Sequence, residues 1–175
     1  MPKIPTSTDA TAQLKDQIPS NAEAIAVFVH KQTKPGSDAV KVMPEEVRAS
    51  ADALLAAGSV TGKSNELTTQ LLPSGGGNGR ARWLLVVGLG AKDKLCGHCL
   101  LEAGGTLAKA ARKQKLRSIA AVVPVVPETL PGLPGAAPAG PGEEVAVENL
   151  AAGFLLGSFD FEEFKGTASK KKDEA

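Results

Sequence analysis

With 175 residues the chain suits one domain, and a globule of that size buries roughly 70% of the surface its unfolded chain exposes. Twenty basic residues against nineteen acidic ones leave a formal charge of +1, which excludes a global field favouring nucleic acid or an anionic membrane. No apolar run reaches the roughly 18 to 20 residues that span a bilayer, Met1 to Pro19 has no leader-like apolar core, and two Cys three positions apart close too small a loop to hold a fold, so a cytoplasmic protein stabilised by packing is expected.

The first apolar segment, Ala24 to Val29, is β-rich and has no helical stripe, and Lys34, Pro35 and Gly36 follow it, which predicts a buried strand. Pro44 to Ala57 predicts a helix. Pro stands at its first position, two Glu follow, Val47, Ala51, Leu54 and Leu55 share one face, and Gly58 ends it. Leu67 to Leu72 and Arg82 to Val87 then read as neighbouring strands joined by the Gly-rich loop Pro73 to Gly79. Trp83 to Val87 is apolar throughout, as befits a central strand with helices on both sides of the sheet. Cys99 to Lys115 is the next predicted helix, with Leu100, Ala103, Leu107, Ala110 and Ala111 buried, and Ser118 to Val123 the next strand. Pro124 to Gly142 holds six Pro and four Gly, so a loop is expected there.

A final helix begins after Gly142 with Glu143, Glu144 and Glu148 near the positive end of its dipole. Val147, Leu150, Ala151, Phe154 and Leu155 form its expected buried stripe, and Gly157 its expected stop. Phe159, Phe161 and Phe164 follow in a chain that is 3% aromatic, which predicts a docking surface. The alternation predicts a three-layer α/β/α sandwich with a mixed sheet. Residues 1–20 are expected to be a flexible segment, 21–165 the domain with its Pro/Gly-rich loop at 124–142, and 166–175 a linker.

Three groups of residues raise the question of chemistry. Cys96-Gly97-His98-Cys99 matches the redox motif of protein disulfide isomerases, with a thiol close to a helix start; Leu95 stands where those sites carry an aromatic, and the plain alternative is two small apolar residues in a first helical turn. As a zinc site the same residues lack a fourth ligand, since His98 is poorly placed and His30 is distant. Gly88-Leu89-Gly90 lies between a strand and a helix, where backbone N–H groups can cradle a phosphate, so Gly88 and Gly90 are candidate ligand-turn residues. Asp93 occupies the place of a third Gly, which favours a simple tight turn. Gly62-Lys63-Ser64 lacks the first glycine of a phosphate loop, and Lys63 reads as an exposed loop residue.

The ending GFLLGSFDFEEFK, followed by KKKD, resembles the close of the N-terminal domain of leucyl aminopeptidases (cytosol aminopeptidases), with Phe159 and Phe164 where that family commonly has Tyr. Val60 to Glu66 resembles the family's F-x-G-K-x-G-E turn with Asn65 in place of Gly, and Arg82 to Gly90 resembles its R-x-x-L-V-G-L-G segment. Ala103 to Ser118 resembles the helix that leads into the next strand, and the likeness runs in order over about residues 24 to 173. The resemblance implies a macro-domain-like fold and a parent enzyme that removes N-terminal residues from peptides with two divalent ions, Zn or Mn. It also implies a homohexamer, a role for this domain in assembly and access control, and DNA binding in some members. The family's metal-binding motif, similar to N-T-D-A-E-G-R, is missing here, so no catalytic residue, metal ligand or cofactor site is expected and the 175 residues alone should not cleave peptides. Two alternatives remain open: a stand-alone module for an ADP-ribose-type nucleotide, and a thiol–disulfide protein using Cys96 and Cys99.

Overall fold

The computed structural model describes residues 10–41, 43, 45–72, 82–131 and 140–159. Pro44, the loop at 73–79, Phe161, Phe164, Lys170–Lys172 and the expected linker at 166–175 lie outside them. Strand β1 (Ala24–Val29) leads through the single turn α1 (Asp38–Lys41) to helix α2 (Glu45–Ala56). Strands β2 (Leu67–Leu72) and β3 (Arg82–Gly88) follow, then a 3-10 turn at Lys92–Lys94 and helix α3 (Gly97–Lys113). Strand β4 (Ile119–Ala121), the short strands β5 (Thr129–Leu130) and β6 (Gly140–Pro141), and helix α4 (Gly142–Ser158) complete the order.

Four strands form a mixed sheet in the order β2-β3-β1-β4. β1 runs parallel to both β3 and β4, and β2 pairs antiparallel with β3. Every residue of β1 is buried, because the strand is central and covered on both faces. Its alternation divides the core in two. Ile25, Val27 and Val29, with Leu84 and Val86 of β3, pack with Val47 and Ala51 of α2. Ala24, Ala26 and Phe28, with Leu85 and Val87, pack with Leu100, Ala103 and Leu107 of α3 and Val145, Ala146 and Leu150 of α4. The expected three-layer α/β/α arrangement with a mixed sheet is the one observed.

Helix α2 ends as its sequence predicts. Gly58 takes φ +68°, and the amides of Gly58 and Ser59 donate to the carbonyls of Leu55 and Leu54 at 3.1 and 3.0 Å, which satisfies two orphan acceptors of the last turn.

Helix α4 departs from expectation in two ways. Its buried face is Gly142, Val145, Ala146, Leu150 and Gly153, whereas Val147, Ala151, Phe154 and Leu155 are only half-buried. Gly157 does not stop the helix but lies inside it, against α3, where a Cβ would come within 2.8 Å of the Ala108 methyl carbon. The reason is the contact between the two helices. A Cβ on Gly104 of α3 would strike the Leu150 carbonyl and come within 2.8 Å of the Phe154 amide nitrogen. One on Gly153 would strike the Leu101 carbonyl and come within 3.0 Å of its Cα. The helices thus touch backbone to backbone, and Arg112 of α3 donates to the Gly157 carbonyl at 3.0 Å, placing a cation at the negative end of α4.

Two smaller differences concern α3 and the segment before α4. Helix α3 begins two residues before Cys99, and Ala111 is only half-buried. The Pro-rich stretch contributes the antiparallel pair β5–β6, whose Leu130 is fully inside the α3–α4 core. Just before β1 the Ser20 carbonyl accepts from Arg82 at 2.7 Å and the Asn21 carbonyl from the Ser118 hydroxyl at 3.2 Å.

The helix contact predicts opposite results at adjacent glycines. Gly104→Ala is expected to lower stability by about 1–3 kcal/mol through overpacking against fixed backbone. Gly105→Ala meets only the Gly153 carbonyl, at 3.8 Å, and is expected to be neutral or to stabilise by about 0.5–1 kcal/mol through the helix preference for Ala. Urea midpoints of the two variants check this, and equal shifts would exclude the backbone contact.

Candidate functional site

The parallel strands β1, β3 and β4 end on one side of the sheet, where His30, Leu89-Gly90 and Val122 emerge. The chain leaves β1 for α2 on one face and leaves β3 for α3 on the other, so the crevice of an open α/β sheet falls between β1 and β3. In this protein that crevice is filled by the turn Thr61 to Glu66. The Gly88 amide donates to the Glu66 carbonyl at 2.8 Å, the Leu89 amide to Val29 at 2.9 Å and the Gly90 amide to Gly62 at 2.9 Å. In return the Asn65 amide donates to the Gly88 carbonyl at 3.1 Å, and the Lys31 amide to Gly90 at 2.8 Å. All three N–H groups of Gly88-Leu89-Gly90 are therefore already engaged by backbone carbonyls. A phosphate could use them only after these bonds opened.

The filling turn is held by its own acid. The Glu66 carboxylate accepts from the Thr61 amide at 2.9 Å, the Thr61 hydroxyl at 3.0 Å and the Lys63 amide at 3.1 Å. Burial opposes its charge, but the bonds from Thr61, Lys63 and Gly62 outweigh that effect and hold its carboxyl below the ordinary 4.5. Asn65, which stands where the resembling motif has Gly, takes φ +62°. Asn is the side chain that tolerates this left-handed conformation best, and its Nδ2 also donates to Glu102 of α3 at 3.3 Å. Lys63 is exposed, as its loop reading predicts.

Sequence reasoning missed His30 as part of this end of the sheet, treating it only as a distant metal ligand. His30 is 9% exposed, and neither ring nitrogen makes a well-formed hydrogen bond. It borders a cavity of ≈ 20 Å³, the size of one water, together with Val27, Phe28, Met43 and Val122 to Val125. Burial pushes its pKa below 6.5; the nearby backbone of Val125 and Gly90 opposes the shift, and the Lys92 charge reinforces it.

Cys96 and Cys99 are brought together at the start of α3, both half-buried and not joined by a disulfide, with their sulfurs in hydrogen-bond contact at 3.6 Å. His98 turns instead toward Glu102, with Nε2 3.5 Å from its carboxylate. Among the described residues no three His, Cys, Asp or Glu side chains converge as metal ligands, and His30 is not part of the Cys96–Cys99 cluster. The two-ion chemistry implied by the resemblance does not fit these donor sets. Beside α3, Leu67, Leu101, Thr106, Lys109 and Leu156 line an open groove of ≈ 610 Å³. Leu156 is 68% exposed and Phe159, at the end of α4, is 38% exposed. Among the described residues no helix is long and apolar enough to cross a membrane.

Two measurements test this geometry. Asn65→Gly should keep near-native stability, exchanging a lost hydrogen bond for relief at φ +62°, whereas Asn65→Val should cost about 1–2 kcal/mol by urea unfolding. His30 has a folded pKa below its unfolded value, so its contribution is complete above 6.5 and is lost as pH falls from there through the folded value. His30→Gln should flatten that part of a stability-versus-pH curve. Glu66 follows the same sign in a lower window: its contribution is complete above 4.5 and is lost as pH falls through its depressed value, which a carboxyl NMR titration reads directly.

Comparison with curated protein sequences gives no match. Among solved structures, a point mutant of tomato leucine aminopeptidase is similar over 94% of this chain and 31% of its own, with 18% identity and a TM-score of 0.62. The bottromycin maturation enzyme BotP is similar over 83% of this chain and 25% of its own, at 16% identity and a TM-score of 0.50, and its complex with Mn gives 15% and 0.49. The chain thus spans about a third or less of the length of these proteins, and the likeness concerns the fold. The model of the cytosol aminopeptidase family, N-terminal domain, matches residues 25–168, more than half of the sequence, and the chain belongs to that family.

Proposed function

We propose that this chain is the non-catalytic N-terminal domain of a cytoplasmic leucyl aminopeptidase, joined through residues 166–175 to a metallopeptidase domain. Peptide hydrolysis with two divalent ions resides in that domain, and the chain described here serves assembly and access control. The observation that carries the docking role is the apolar surface at the C-terminal end of α4. Leu156 lines the groove along α3 and is exposed, and Phe159, one residue past α4, is exposed as well; among the described residues the other exposed large apolar groups are only Leu14, Leu71 and Val125. Helix α4 is the last of the described elements, and the proposed partner domain follows it in the chain. Membership of the family and the share of the tomato enzyme that this chain covers support the same reading.

The coding sequence downstream of Ala175 tests the proposal. It is expected to encode a metallopeptidase domain with the acidic metal-binding motif absent here, and a stop codon directly after Ala175 overturns the reading. With that domain produced separately, Leu156→Asp should weaken its binding to the 175-residue chain by at least about tenfold, or 1.4 kcal/mol, in titration calorimetry. An unchanged affinity removes Leu156 from the interface.

A further inference from the structure

Among the described residues, a cluster of reactive side chains that the aminopeptidase reading leaves unused is at the start of α3. Cys96 is the residue preceding the helix, with extended backbone at φ −151°, ψ 171°, and Cys99 lies in the first turn. Their sulfurs are 3.6 Å apart and both side chains are reachable from solvent. A disulfide requires about 2.05 Å between sulfurs, so closure needs a movement of roughly 1.5 Å. Rotation about χ1 of Cys96 supplies such a movement, because a residue outside the helical turn is not confined to helix rotamers. The Cys99 thiol donates to the Lys94 carbonyl at 3.6 Å, and burial, with the adjacent Cys96 sulfur, pushes its pKa up. Cys99 thus lies inside the first turn with its thiol turned onto the Lys94 carbonyl, while Cys96 precedes the 17-residue helix and its side chain makes no capping hydrogen bond.

We propose that Cys96 and Cys99 form a reversible dithiol–disulfide site that exchanges with low-molecular-mass disulfides of the glutathione class, with Cys96 attacking and Cys99 resolving. The Cys96 thiolate attacks one sulfur of the small disulfide; the S–S bond breaks and one thiolate leaves, taking a proton from solvent. The Cys99 thiol then gives up its proton and attacks the Cys96 sulfur of the mixed disulfide, expelling the second small thiol. Two protein thiols are oxidised by two electrons, one disulfide is reduced to two thiols, and the two protons leave on the products. Oxidation also removes the Cys99 bond to the Lys94 carbonyl, one contact between α3 and the 3-10 turn before it.

The test incubates the 175-residue chain with defined mixtures of oxidised and reduced glutathione, followed by acid quench, alkylation and intact-mass measurement. The expected product is lighter by two hydrogens and takes up no alkylating reagent. Cys99→Ser should accumulate a glutathione adduct on Cys96, and Cys96→Ser should form one at least about tenfold more slowly. A wild-type chain that keeps two alkylatable thiols in excess oxidised glutathione overturns the proposal. Equal adduct rates in the two variants overturn the assigned roles.

Discussion

The fold depends on the distance between α3 and α4. With hydrogen at positions 104 and 153 the two backbones come into contact, and Leu100 and Leu107 of one helix can share a core with Val145 and Leu150 of the other. A dispersion contact of this kind is strong only at close range; a gap of even half an ångström forfeits a large part of it. The same approach positions Ala24 and Ala26 of β1, whose small side chains occupy the sheet face beneath the helices. Bulk is greater on the opposite face, where Ile25, Val27 and Val29 meet the shorter α2. β1 thus turns Ala24 and Ala26, with Phe28 near its end, to one layer and only branched residues to the other.

Much of this was legible in the chain itself, for identifiable reasons. β1 and β3 announce themselves by unbroken apolar character, which only strands covered on both faces sustain. α2 has a narrow stripe and a glycine that can take positive φ, so both its face and its end were readable. α4 was harder because it is apolar around most of its circumference, and several stripes satisfy the same period. Glycine has two meanings in such a helix, a stop or a place of contact, and Gly157 proved to be the second. The pair β5–β6 is two residues a side, below the length at which alternation carries any signal.

The site followed a similar division. A two-residue spacing between cysteines predicts neighbouring sulfurs whenever a helix starts there, and they are neighbours. The Gly88-Leu89-Gly90 turn has the right residues and the right place in the fold for a ligand, yet its amides are used by Val29, Gly62 and Glu66. Two of those partners come from a separate turn, and no local pattern reveals that they arrive. His30 was equally opaque, since burial of a ring at a strand end depends on Met43 and the chain after β4 closing over it.

The seam between the Thr61–Glu66 turn and the end of β3 has a broader meaning. Reciprocal bonds, Gly88 to Glu66 and Asn65 to Gly88, make the two loops one piece of backbone, and Asn65 extends it to α3 through Glu102. In an open α/β sheet this is the region usually left soft enough to receive a small molecule. Here it has become a keystone of the fold, closed by backbone that belongs to the domain itself.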